Sequence, residues 1–374
     1  MAEAVVVGAG IVGCAVAYEL ARRGVRVEVL DGREPGGGAT QASAGVLSPF
    51  IEAETGTLLQ DLGVASLDRY DAFMADVTRD SGLPVEYART GTIEAALDAP
   101  EESRLRAGAD LLRDLRIEHR LMDGDEARAF DPALAPAVSA ALYVAQHGFV
   151  SAPALITALV RAATAKGAVF RPKTQISRIV KDPNHPGGGL RIDTPQGSLK
   201  TSTVVLAAGS WSPLVESAEA ATLPVHPVRG QLLHLKWKAT PPTRVIWGSR
   251  CYMVPWNDGS VLVGATVEEA GYVEEVTVAG LRSLFAAGAE LVPETASAGF
   301  TSARVGLRPA TLDRLPIIGP SSEISGLIYA TGHYRNGVLL TPITALLVAD
   351  FLTEGRRHRW LDALSLDRFK PVQP

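Results

Sequence analysis

Three side chains carry most of the chemistry this sequence can offer. They are Arg308 in Gly306-Leu307-Arg308-Pro309, Arg335 in Thr331-Gly332-His333-Tyr334-Arg335-Asn336-Gly337, and Tyr252 in Cys251-Tyr252-Met253-Val254-Pro255. A guanidinium presents two parallel donors matched to two carboxylate oxygens, so both arginines are candidates for holding an acid group on a small substrate. Arg308, set between an apolar residue and a proline, reads as a site arginine, whereas Arg335 reads equally well as a surface one. Tyr252 either completes a carboxylate contact and closes a pocket with its ring, or packs at a core edge. Cys14 and Cys251 stand alone and read as packed thiols, with no CxxC pair and no histidine cluster at metal-ligand spacing. No compelling Ser-His-Asp set or carboxylate pair presents itself, a lack that chemistry on a bound redox group would explain, since such a group asks mainly for orientation and electrostatic support.

The element that would position such a group opens the chain. Ala4 to Val7 is apolar, Ile11 to Arg23 has helical spacing, and Val25 to Leu30 is apolar and β-branched, so the start is a βαβ unit. Its turn, Gly8-Ala9-Gly10-Ile11-Val12-Gly13, follows a strand and opens a helix, the context in which this pattern binds a dinucleotide. Gly8 permits the tight turn, Gly10 lets backbone approach a pyrophosphate, Gly13 lets helix and strand pack, and the N–H groups around Ile11 and Val12 face the phosphates. Asp31, beside Gly32 at the end of the second strand, can take a ribose hydroxyl. The turn alone leaves FAD and NAD unseparated. The loop Gly36 to Gly45 favours the flavin, because the small residues around Ala39, Thr40, Ala44 and Gly45 let backbone lie against a second phosphate or a flat ring.

Further along, Thr57 to Arg79 and Glu101 to Leu115 have helical spacing, and Ser151 to Lys166 reads as a capped helix with Ser151 as N-cap. Val169 to Arg171, Gln175 to Val180 and Thr203 to Ala207 are expected to rejoin the first sheet, with Pro183 to Gly189 as a solvated hairpin tip. From Val225 to Thr266 the pattern turns to short alternating strands (Gln231 to Lys236, Val245 to Trp247, Cys251 to Pro255, Ser260 to Ala265), which imply an antiparallel sheet. Helical spacing returns at Val278 to Leu291, and Leu307 to Gly319 leads back towards the nucleotide lobe. Thirty-six Lys and Arg against 41 Asp and Glu, with no block of like charge, argue against nucleic acid as main partner. No signal peptide is read at Met1 to Val7, and Val338 to Leu352 is too short to span a bilayer and reads as a buried helix, so a cytoplasmic location is expected.

With Val204 to Gly209 and its Ala-Ala-Gly end, these motifs resemble the D-amino acid oxidase family of flavoproteins, in particular its bacterial glycine oxidases. The resemblance spans nearly the whole chain, and the Tyr252, Arg308 and Gly332 to Gly337 motifs are its most restrictive parts. It implies an α/β fold with a Rossmann-like FAD-binding domain, discontinuous over 1–80, 145–222 and 305–374. The second, α+β substrate domain, on a mainly antiparallel sheet, would comprise 81–144 and 223–304. It further implies that Arg308 is the main carboxylate clamp with Arg335 near it, and that Gly209, Gly332, His333, Tyr334, Arg335, Asn336, Gly337, Val338 and Leu339 surround the flavin ring. A helix beginning near Gly337 would face the ring's pyrimidine edge. Val46 and Val267 would wall the pocket, and Ile176 would touch the adenine. Sarcosine oxidases that resemble this family hold flavin through a cysteine near the Gly306 region; glycine here implies noncovalent FAD. The implied reaction passes hydride from the Cα of glycine or another small (D-)amino acid to flavin N5. It gives a 2-oxo acid, ammonia and, with molecular oxygen as acceptor, hydrogen peroxide; in some relatives the imine feeds thiazole formation for thiamine. The alternatives are a D-amino acid dehydrogenase with another acceptor, a sarcosine oxidase, an NAD-dependent dehydrogenase and a catalytically silent flavin-binding module. No membrane docking is expected, and a homo-oligomer is open.

Overall fold

The computed structural model describes residues 3–52, 56–183, 188–217, 222–238 and 240–370. The opening strand β1 (Ala4–Val7) lies at the middle of a six-stranded sheet, with β2 (Val27–Leu30) on one side and Thr203–Leu206 on the other. Val169–Arg171 extends the sheet beyond β2, and Leu327–Thr331 and Ile317–Pro320 extend it beyond Thr203–Leu206. All neighbours are parallel except the last pair. The period-2 alternation of β1 assigns its faces. Val6 joins a core with the helix α1 (Ile11–Arg22) and the helices Ala152–Ala165 and Thr341–Glu354, while Val5 and Val7 face the other way.

What covers that second face differs from the sequence expectation. The stretch expected to rejoin the sheet through Gln175 to Val180 instead forms Arg178–Asp182, the start of a separate four-stranded sheet with Gly189–Thr194, Gly197–Thr201 and Glu216–Ser217. Ile179, Leu190 and Ile192 point from it onto Val5, Val7, Val204 and Leu206. The hairpin is thus a third layer, because a parallel sheet must bury both faces and, among the described residues, no α-helix joins the core on this one. Residues 184–187 of the expected hairpin tip lie outside the described residues.

The second sheet has eight strands in the order Gly299–Thr311, Val225–Lys236, Ser260–Gly264, Tyr252–Pro255, Val245–Trp247, Thr92–Ala96, Ala140–Val144 and His119–Asp123. Only the Val245–Trp247 pairing with Thr92–Ala96 is parallel. The helix Val278–Leu291 packs on one face through Leu284 and Leu291, against Leu233, Met253 and Val263. The opposite face, with Leu232, Trp247, Val254 and Leu262, turns towards Ala44 and Phe149. The long strand Gly299–Thr311 leads from one sheet to the other: it pairs with Val225–Lys236 along its length, and the chain then enters the six-stranded sheet at Ile317. The expected helix near Gly337 starts later, at Thr341. Gly337 to Leu340 form a turn, pinned by the Thr341 hydroxyl donating to the Gly337 carbonyl at 2.7 Å, and Pro342 occupies the first helical turn.

Candidate active site

The glycine turn is built as close packing requires. Gly8 has φ +108°, and a Cβ on it would stand 2.4 Å from the Ala207 carbonyl oxygen; one on Gly13 would stand 1.9 Å from Gly8 O. Helix α1 therefore starts directly over the ends of β1 and Thr203–Leu206. Its first amide, Ile11 N–H, donates to Thr40 Oγ1 at 3.1 Å, so the small-residue loop is drawn across the helix N-terminus. Asp31 accepts from Ala9 N–H at 2.6 Å and Arg33 N–H at 2.8 Å, which fixes its carboxylate at the end of β2. Burial raises its pKa, and those two amides oppose the rise.

One cavity, of about 370 Å³, runs from this turn to the eight-stranded sheet, within the ~300–1,000 Å³ usual for cofactor sites. Its walls include Gly8, Gly10, Ile11, Val12, Asp31, Gly32, Ala39, Thr40, Ala44, Gly45, Val46, Ile176, Gly209, His333, Tyr334, Arg335, Gly337 and Val338, with Tyr252 and Arg308 at the far end. Gly13, Gly332, Asn336 and Leu339 stand behind the wall. Gly13 carries the helix packing, Gly332 lies against Thr311, Asn336 N–H donates to His333 O, and Leu339 O accepts from the Ser66 hydroxyl. Val267, expected as a pocket wall, is 56% exposed and outside the lining: the chain stays bonded to Val225–Lys236 on either side of it, through Thr266 N–H to Gln231 O and Glu268 N–H to Arg229 O, and the Val267 side chain faces solvent. His333 is buried with Nε2 3.0 Å from Thr344 Oγ1, and desolvation lowers its pKa to about 3, so the ring is neutral and structural.

At the far end the carboxylate-binding candidates converge from different elements. Arg308 lies on Gly299–Thr311 and Tyr252 on Tyr252–Pro255, while Arg335 lies on the loop before Thr341–Glu354. Arg308 Nη1 donates to Thr266 O at 3.0 Å, which anchors one side of the fork and leaves the other for an acceptor in the cavity. Two glycines make room: a Cβ on Gly230 would stand 2.3–2.4 Å from the Arg308 guanidinium, and one on Gly264 2.8 Å from the Tyr252 hydroxyl. The Tyr252 pKa is raised by burial, against the pull of Arg308, so it remains a phenol able to donate. Its ring packs on Trp247 at 4.9 Å between centroids.

At this end of the cavity, Glu52 is a lining residue that sequence reasoning missed. It ends the four-residue helix Pro49–Glu52 and carries no motif, yet its carboxylate lines the cavity and lies 3.3 Å from Arg335 Nε. Burial raises its pKa, opposed by Arg335 and Arg308, and its charge in turn raises that of Arg335. Arg33 and Trp211 were missed at the other end. Arg33 lies over the Trp211 ring at 4.2 Å and pairs with Glu274 at 2.7 Å, linking the loop between Ser260–Gly264 and Val278–Leu291 to the nucleotide side. For Trp211 the neighbouring Ala-Ala-Gly strand end was a usable signal; for Glu52 there was none.

The donor set suits a flavin dinucleotide. A helix N-terminus and glycine backbone face one part of the cavity, the Asp31 carboxylate lines it at the end of β2, and Gly306 lacks a Cβ that would stand 2.9 Å from Ala42 Cβ on the small-residue loop. The family model described as DAO, FAD dependent oxidoreductase, matches residues 3–351. The chain belongs to this family. A glycine oxidase of Geobacillus kaustophilus is 32% identical over 370 residues, 98% of this chain and 97% of the relative. The crystal structure of glycine oxidase from that organism superposes with a TM-score of 0.92 at 31% identity, covering 100% of this chain and 99% of the other. A bifunctional protein ThiO/ThiG of Trichormus variabilis is 30% identical over 98% of this chain, which spans 55% of that longer protein. This FAD-dependent oxidoreductase is thus of the amino acid oxidase type, with FAD as its cofactor. No helix among its described residues is long and apolar enough to cross a membrane.

Proposed function

We propose that this enzyme oxidatively deaminates glycine or another small (D-)amino acid, with molecular oxygen as electron acceptor. The observation that carries the reading is the convergence of Arg308 and Tyr252, on separate strands, at one end of the dinucleotide cavity. Arg308 holds the substrate carboxylate through the free side of its fork, and Tyr252 adds a phenolic hydrogen bond. Trp247 packs on the Tyr252 ring and Val46 adds an apolar lining residue, which strengthens both contacts by limiting water there. Held by its acid group, the substrate has its Cα fixed and presents its amine in the neutral form. FAD, when bound, supplies the acceptor for hydride from Cα at its N5 position. Water then converts the imine to 2-oxo acid and ammonia, and oxygen is reduced to hydrogen peroxide; for glycine the keto product is glyoxylate. The chemistry asks the protein for orientation and electrostatics rather than a nucleophile, in keeping with the groups gathered here. The glycine oxidase and ThiO names of the relatives support glycine as substrate and a link to thiamine.

The test is anaerobic mixing of the yellow holoprotein with glycine, sarcosine, D-alanine, D-proline and L-alanine, following loss of flavin absorbance. Bleaching by glycine or a small D-amino acid, with peroxide formed on admitting oxygen, is expected; a flavin untouched by every amino acid would refute the reading.

A further inference from the structure

Among the charged residues lining the cavity, Asp31 and Arg33 belong to the dinucleotide end, while Glu52, Arg308 and Arg335 stand at the substrate end. The three form a cluster rather than a row. Glu52 is paired with Arg335 Nε at 3.3 Å and is also within electrostatic reach of Arg308, and all three act on Tyr252. The Glu52 side chain is only 10% exposed, so its charge is not dissipated in solvent. Arg308 has a different anchor, the neutral carbonyl of Thr266, which leaves its charge uncompensated by that contact. Two cations and one anion leave a chamber with a single net positive charge, enough for one carboxylate.

Resting on the amino acid reading above, we infer that Glu52 is a specificity-determining residue: by masking Arg335 it restricts the chamber to substrates with one carboxylate, and its removal would turn Arg335 into a clamp for a second. Arg335 sits where a second acid group would meet it, beside Tyr252 and over the Trp247 ring at 5.9 Å, but its charge is already paired with Glu52 through Nε. A dicarboxylic amino acid entering the native chamber meets Glu52 as a like charge with little water to screen it.

The experiment measures binding of acetate, malonate and succinate to the oxidised holoenzyme by perturbation of the flavin spectrum. These probes lack an amine, so only carboxylate recognition is read, and two dicarboxylates of different length keep spacing from deciding the result. Wild type is expected to prefer acetate. In Glu52→Gln the preference for the better dicarboxylate over acetate should rise at least about 10-fold, equivalent to ~1.4 kcal/mol. Arg335→Gln, which exposes the Glu52 charge, should weaken acetate binding about 3-fold or more. The double variant Glu52→Gln/Arg335→Gln should bring both quantities back towards wild type. An unchanged ratio in Glu52→Gln, or a double variant that keeps the dicarboxylate gain, would overturn the inference while leaving the proposed function standing. If Glu52→Gln does not fold, the acetate response of Arg335→Gln decides, and unweakened binding overturns the inference. Wild-type holoenzyme that binds no carboxylate at all would overturn both.

Discussion

Gly230→Ala is the sharpest probe of the carboxylate clamp, because it adds one methyl group and neither adds nor removes an ionisable group. The new Cβ would lie 2.3–2.4 Å from three guanidinium atoms of Arg308, and ordinary contact begins near 3.4 Å, so the fork must move by about 1 Å. The backbone of Gly230 is ordinary strand, and Gly230 does not line the cavity, so FAD binding should persist. A shift of that size breaks the 3.0 Å bond from Nη1 to Thr266 O and tilts the fork away from the substrate acid. A charge-assisted hydrogen bond contributes ~1.5–3 kcal/mol, and a misplacement of about 1 Å can cost ~100-fold in rate. We therefore expect kcat/KM for glycine to fall about 100-fold, mostly through KM, with the flavin spectrum and content of the purified protein unchanged. Steady-state peroxide production, with acetate titration of the oxidised flavin as an independent binding measure, checks this. A KM within 3-fold of wild type would show that Arg308 does not hold the substrate in the position the structure gives it.

Asp31→Asn keeps the size but removes the charge that accepts from Ala9 and Arg33 amides, and should weaken FAD retention about 10-fold or more, read from the flavin-to-protein absorbance ratio after dialysis. Gly306→Ala would place a methyl 2.9 Å from Ala42 Cβ and 3.2 Å from Ala39 Cα, pushing the small-residue loop outwards; flavin content should fall while the far-ultraviolet circular dichroism of the apoprotein stays the same. Stability should drop on the acid side of neutrality. Burial lowers the pKa of both His147 and His333 to about 3, with Arg89 lowering that of His147 further, so as pH falls below about 6.5 the unfolded chain takes up two protons that the folded one refuses. Their contribution is fully present above that pH and is lost as pH falls towards 3, by about 1.4 kcal/mol each at about pH 5.5. Urea midpoints of the holoprotein at pH 7.5 and 5.5 test it, and equal midpoints would contradict the burial argument.

The local features were legible because each states a backbone requirement in its own residues. The turn at Gly8 to Gly13 needs glycine on sterics alone, Ser151 caps its helix by accepting from Ala154 N–H, and the helix Val278–Leu291 is spelled out by its apolar period. Arg308 was legible as a candidate from its apolar and proline neighbours, whereas Tyr252 was balanced between an acid contact and core packing until the family resemblance weighed in. What the residues could not state was which separate stretches meet. The layer of Arg178–Asp182 followed from the need to cover the second face of a parallel sheet, which belongs to the assembled fold and not to that segment. Gly230 and Gly264 look like ordinary strand glycines until the strands pair and the Arg308 and Tyr252 side chains lie across them. Glu52 shows the limit most plainly. Its charge becomes functional only through an arginine 283 positions away in the chain, brought within 3.3 Å by tertiary folding, in a place where burial makes that one ion pair count.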